Sequence, residues 1–248
     1  MSNIGELLTF PFNTAEGRKN FLIGCLASMA SFFIPILPSI LVYGYIARII
    51  RKISAGEAPS MPDWDNLNDM LMDGLRLYGV KLLISLPLLL ILFAGIGVYA
   101  IGMIVIGIQD DPNLFGIFLP ILLLIFGATM CISFTLGIAT AIIGYPASIH
   151  AVVRQNFSAG FKFSEWWPIL RINIGGFLLA ILLTYAISFL YSIGIQILTF
   201  TIILICLLPL LMPVFVFYMM LAPEVLAAQA YRDGQLKLAA ASGATGQE

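Results

Sequence analysis

Charged residues fall in islands along this chain, and long apolar runs separate them. Residues 20–47, 82–109, 112–153 and 172–223 contain no Asp, Glu, Lys or Arg. A helix crossing about 30 Å of hydrocarbon needs roughly 20 apolar residues. The first two runs therefore hold one hydrophobic segment each, at about 20–47 and 82–108. The third holds one at about 115–142. The fourth is long enough to fold back, and its weakest point is Ser192-Ile193-Gly194-Ile195-Gln196, which predicts segments at 174–194 and 198–221. Continuous apolarity without inward polar alternation fits helices, which satisfy their own backbone groups in lipid, and not barrel strands. The expected fold is an all-α polytopic bundle of five hydrophobic segments, forming one transmembrane domain over 1–237. The tail 238–248, rich in Ala, Gly and Ser, is expected to be disordered.

Composition agrees. The chain has 248 residues, 60% apolar and 10% charged, against roughly 45–50% and about 25% in soluble domains. With 12 Lys+Arg against 13 Asp+Glu, no basic excess exists to meet phosphates, and no nucleic-acid partner is expected. Met1 to Asn20 lacks the layout of a cleaved secretory signal. The partner that the composition demands is a lipid bilayer.

Lys/Arg bias orients the segments. Placing 48–81, 154–171 and the tail in the cytoplasm puts all basic residues but Arg18 and Lys19 inside, with Asp110-Asp111 outside. Five full crossings then leave the N-terminus outside. A re-entrant first segment, broken at Pro35-Ile36-Leu37-Pro38, would bring it inside. Both topologies stay open. The expected location is the plasma membrane, multi-pass.

The linkers carry the most distinctive residues. From Trp64, apolar positions Trp64, Leu67, Leu71, Leu75 and Tyr78 recur at helical spacing, with Asp65, Asn66, Asn68, Asp69 and Asp73 opposite. This predicts an interfacial amphipathic helix with Trp64 at headgroup level, a solvated acidic face and Asp63 as N-cap. Tyr45, Arg48, Arg51, Trp64, Leu67, Leu71, Arg154, Trp166 and Trp167 are the expected membrane-interface or docking residues. Gly44-Tyr45-Ile46-Ala47 followed by Ser54-Ala55-Gly56 echoes Gly144-Tyr145-Pro146-Ala147 followed by Ser158-Ala159-Gly160. Either duplication or the common preferences of helix ends at a membrane surface accounts for the echo.

The run Gly44-Tyr45-x-x-Arg48-x-x-Arg51, then Gly56-Glu57, Pro62-x-Trp64-Asp65 and Asp73-Gly74-Leu75-Arg76, resembles a family of bacterial and archaeal integral membrane proteins catalogued as a domain of unknown function. The resemblance covers about residues 5–235. It is similar in layout to membrane domains that accompany some glycerophosphodiester phosphodiesterases, though none of the phosphodiesterase residues is present. What it implies is a membrane topology and no activity.

Catalytic chemistry has little to work with. His150 is the single histidine, so no His pair or His/Glu zinc or haem set can form. It is expected to be a satisfied interfacial residue. Cys25, Cys131 and Cys206 lie in apolar runs and act as small apolar residues. No nucleophile elbow or phosphate loop occurs. No metal, no cofactor and no enzyme activity are expected. No ionisable residue lies inside any predicted segment, which argues against ion coupling. Two uncharged seams do: Thr129, Ser133, Gly137, and Thr184, Ser188, Ser192, Gln196. Such spacing suits close helix packing or a polar lining. The function expected is a non-enzymatic accessory or scaffold subunit packing with other membrane subunits or with itself. The alternative is a transporter or permease component for a neutral or lipid-like substrate.

Overall fold

The first apolar run is divided between two helices, one ending at Ala30 and one beginning at Leu37. The computed structural model describes residues 4–34, 36–109, 111–200 and 208–244, and opens with α1 (Ile4–Thr9), a 3-10 turn at Phe10–Phe12, α2 (Ala15–Ala30) and α3 (Leu37–Ala55). Thr14 starts α2 from extended backbone, and its hydroxyl accepts from Gly17 N–H at 2.9 Å, an N-cap. Pro38 sits in the first turn of α3, where a missing donor costs nothing. Gly56, at φ 94, ends α3, and Glu57 N–H returns to the Lys52 carbonyl at 3.0 Å. A left-handed residue with that return bond is the usual glycine C-cap.

Asn20, early in α2, accepts through its carbonyl from Trp64, whose ring lies on Tyr45 of α3. Helices α2 and α3 therefore run antiparallel, and the first segment is a returning hairpin. Among the described residues, four helices are long and apolar enough to cross a membrane: α4 (Leu67–Gln109), α5 (Pro112–Val153), α7 (Ile174–Phe200) and α8 (Leu208–Ala244). Between α5 and α7 lie a 3-10 turn (Phe157–Phe161) and α6 (Phe163–Ile172). The described regular structure is helical throughout.

Two further expectations change. Helix α7 continues through Ser192–Gln196 to Phe200, because one glycine is a weak break where the helix must satisfy its own backbone. Helix α8 runs through 238–244, so the tail expected to be disordered is helical there; residues 245–248 lie outside the described set. Pro35, Asp110 and Cys206 lie outside it too.

The chain divides into two units, residues 1–81 with 145–248, and residues 82–144. In the first, α8 is the inner helix and packs against α1, α2, α3, α6 and α7. Every residue from Leu221 to Tyr231 is buried, and small Ala222, Ala227, Ala228 and Ala230 let neighbours close in. Helices α3 and α4 cross backbone to backbone. A Cβ on Gly44 would stand 1.8 Å from the Met70 carbonyl oxygen, and one on Gly74 would stand 1.9 Å from that of Ile40. Only glycine permits this approach.

That crossing overturns the predicted amphipathic face. Residues Met70, Asp73, Gly74, Leu77 and Val80 are buried, whereas Leu67 and Leu75 are exposed and Leu71 and Tyr78 are half-buried. Trp64 and Asp63 precede the helix, and the Asn66 carbonyl accepts its first bond, from Met70. Of the acidic face, Asp65, Asn66, Asn68 and Asp69 are exposed as expected, whereas Asp73 is buried and ion-paired.

In the second unit, α4 and α5 form an antiparallel pair. Gly95 faces Thr129 and Gly102 faces Leu122, while Tyr99 packs on Phe126 at 4.9 Å. The Thr129–Ser133–Gly137 seam belongs to this contact. Thr129 and Ser133 are buried, and Gly137 meets Leu88. The Thr129 hydroxyl donates to the Ile125 carbonyl at 2.9 Å.

Candidate functional site

Polar chemistry in the first unit collects in a layer built from the linkers and the ends of the apolar helices, partly buried and partly at the surface. Tyr45, fully buried, donates its hydroxyl to the Pro62 carbonyl at 2.7 Å and stacks on Trp64 at 4.1 Å between centroids. Burial holds its hydroxyl well above the usual phenol range. Trp64 Nε1–H donates to the Asn20 carbonyl at 2.9 Å, and Asn20 Nδ2 to Asp63 at 3.2 Å. Trp64 thus fastens the 56–66 segment to α2 and α3, where a headgroup anchor was expected. Arg48 grips the same segment, at 2.5 Å from Asp65 Oδ1 and 3.2 Å from the Asn66 carbonyl. Arg51 and Arg76 share buried Asp73, at 2.5 and 2.7 Å.

Deeper in the layer, Lys81 of α4 pairs with Glu224 of α8, and the Lys81 ammonium lies 4.4 Å from the Tyr145 ring centroid. The second carboxylate oxygen of Glu224 is buried with no hydrogen-bond partner. Neither residue lies inside a predicted hydrophobic segment; the pair sits just beyond them. The helices run past the charge-free runs at both places: Lys81 is the residue before 82–109 and Glu224 the residue after 172–223. Opposite charges bounding two runs were the available signal for the pair.

His150 is buried and uses both nitrogens. Nδ1 lies 2.6 Å from the Tyr231 hydroxyl and Nε2 lies 3.0 Å from Glu165. With Tyr231 donating to Nδ1 and Nε2–H donating to Glu165, a neutral imidazole satisfies every group. Lys162 braces Glu165 at 3.1 Å. These bonds, that to His150 first, hold the Glu165 carboxyl below its usual range. Asn173, between α6 and α7, ties that junction to α8, donating to the Ala230 carbonyl at 2.7 Å and accepting from Lys237 at 2.6 Å.

The other expected docking residues scatter. Trp166 is buried and donates to the Gly160 carbonyl at 3.0 Å; Trp167 is exposed and stacks on Phe163 at 4.6 Å. Arg154 is exposed. Of the α7 seam, Thr184 and Ser188 are half-buried, with Ser188 3.9 Å from Met219 Sδ of α8, whereas Ser192 and Gln196 are exposed. The two echoed stretches take different roles. Gly56 caps a helix with positive φ, and Gly160 sits in a 3-10 turn.

Chemically, the layer is an interlock. Its cations and carboxylates close on one another across α3, α4, α5, α6 and α8. Among the described residues, no group of three or more His, Cys, Asp or Glu could hold a metal ion.

No curated protein and no solved structure matches the chain. One family does, described as "Protein of unknown function (DUF4013)", over residues 28–200. That stretch takes in the α3–α4 glycine crossing, the 56–66 segment, the α4–α5 pair and His150. The match is narrower than the 5–235 suggested by the linker motif, and leaves out Glu224 and Tyr231. Because it spans well over half of the chain, this protein belongs to the DUF4013 family of proteins of unknown function.

Proposed function

We propose that this chain is a non-enzymatic scaffold or accessory subunit of a membrane complex. The observation that carries the reading is the division of labour between its helices. Only 11%, 6% and 11% of the most apolar stretches of α4, α5 and α7 are buried within the chain, against 56% for α8. On α5, Gly116 and Gly127 face open space. They are about three turns apart and therefore share a face, with exposed Leu123 between them and exposed Phe134 beyond. Small residues on an apolar helix let a second helix approach closely. The polar layer, meanwhile, spends its charges on internal pairs.

The layer also supports an orientation. A Cβ on Gly56 would lie 3.1 Å from the Arg232 guanidinium, Lys237 reaches Asn173, and Lys162 joins Glu165 and His150. The basic segments thus adjoin in the first unit, and the Lys/Arg rule assigns that end to the cytoplasmic side of the plasma membrane.

The test is a photo-crosslinking residue placed in the full chain in native membranes, at Gly127 or at exposed Ile132 on another face. A discrete protein adduct at Gly127 and none at Ile132 is expected. Lipid adducts alone at both positions would defeat the reading.

A further inference from the structure

We propose that the cleft between the start of α7 and the end of α8 is a binding site for one phosphatidylethanolamine-type lipid. The cleft has a volume of about 310 Å³, within the usual range for ligand pockets of roughly 300–1,000 Å³. Its polarity changes along its length. Asn173, Asp233 and Lys237 line one end, and Leu179, Leu183 and Leu226 line the rest. Ile4 and Leu7 of α1 also line it.

Helix register turns this lining into a depth gradient. Asn173 bonds Ala230 and Ser188 meets Met219, so α7 and α8 are antiparallel and Leu179 lies about level with Leu226. From Asn173 to Leu183 the helix rises about 15 Å, which is about half of a roughly 30 Å hydrocarbon core. The cleft therefore has a polar mouth and an apolar body the depth of a single leaflet. A bilayer lipid matches that dimension, and a water-soluble ligand does not.

Charge selects the headgroup. Lys237 spends one donor on Asn173 Oδ1 at 2.6 Å, and an ammonium has three. One turn earlier on α8, Asp233 accepts from Gln229 at 2.9 Å and lines the same mouth. A cation and a carboxylate side by side complement a phosphate and an amine joined by two carbons. A head carrying only negative charge would meet Asp233, and a quaternary amine has no N–H for the carboxylate. This inference stands apart from the scaffold reading.

Native mass spectrometry of the full chain in detergent, titrated with ethanolamine, choline and glycerol phospholipids of identical acyl chains, tests it. Ethanolamine lipid should be retained about tenfold better than either other lipid. Filling the body of the cleft with Leu183→Trp should abolish that retention. Asp233→Asn should shift preference toward the glycerol lipid, a gain that misfolding would not produce. Soluble glycerophosphoethanolamine, a head without chains, should fail to displace the bound lipid. Equal retention of the three lipids, or unchanged ethanolamine-lipid retention in Leu183→Trp, overturns the proposal.

Discussion

Lys81 and Glu224, 143 positions apart in sequence, close on each other in the interior of the first unit and join α4 to α8. Glu224 is nearly sealed from solvent, and the Tyr145 ring covers the ammonium. Removing one partner strands a buried charge, whereas removing both does not.

Lys81→Met should therefore cost about 3–5 kcal/mol, the range for breaking a buried pair. Lys81→Met combined with Glu224→Gln should recover much of that loss. Thermal unfolding in detergent of the two single variants and the double variant checks the coupling. Additive losses would show that the pair is not the unit of stability.

The glycine crossing offers a sharper contrast. Gly44→Ala or Gly74→Ala drives a methyl into a carbonyl oxygen less than 2 Å away and should leave little folded protein. Gly97→Ala, where a Cβ meets nothing within 4 Å, should be neutral or stabilising by about 0.5–1 kcal/mol through the lower entropy cost of alanine in a helix. Yields of monodisperse protein and melting temperatures give the readout.

Trp64 distinguishes an internal fastener from a membrane anchor. Trp64→Leu removes the Tyr45 stack and the bond to the Asn20 carbonyl, and should lower stability by about 2 kcal/mol, one aromatic pair plus one hydrogen bond. Tyr45→Phe should cost about 1 kcal/mol through the lost Pro62 bond. If Trp64→Leu instead changed only lipid-quenched fluorescence and left the melt unmoved, the anchor reading would stand.

Glu165 gives a pH dependence whose direction is set by its partners. Its carboxyl is held below its ordinary value near 4.5 by the hydrogen bonds to His150 and then Lys162. A depressed carboxylate stabilises the fold above its ordinary value and loses that contribution as the pH falls through the lowered one. The wild-type chain should thus lose melting temperature between about pH 5 and lower values, and Glu165→Gln should lose less over the same window. Parallel pH profiles would remove Glu165 from the account.

The echoed stretches show where sequence pattern stops informing. Gly44-Tyr45 and Gly144-Tyr145 read alike, yet Gly44 lies against the Met70 backbone and Tyr45 lies under Trp64, while Tyr145 covers Lys81. A helix end selects glycine, tyrosine and arginine for local reasons. Which neighbour arrives is a separate matter. The amphipathic stretch after Trp64 failed in the same way. Its apolar stripe was legible, but the Gly44–Gly74 contact buries Met70, Asp73, Leu77 and Val80 instead.

By itself the sequence pointed to an all-helical fold, to membrane-length apolar runs and to a small-residue seam at Thr129–Ser133–Gly137. These follow from composition and period, which act over neighbouring residues. Only the tertiary structure decided that the first run returns as a hairpin, that Asp73 and Glu224 are buried, and that Asn173 and Lys237 meet at the mouth of a cleft. Ion pairs and backbone contacts between distant segments depend on helix crossing and register, and no local pattern encodes either.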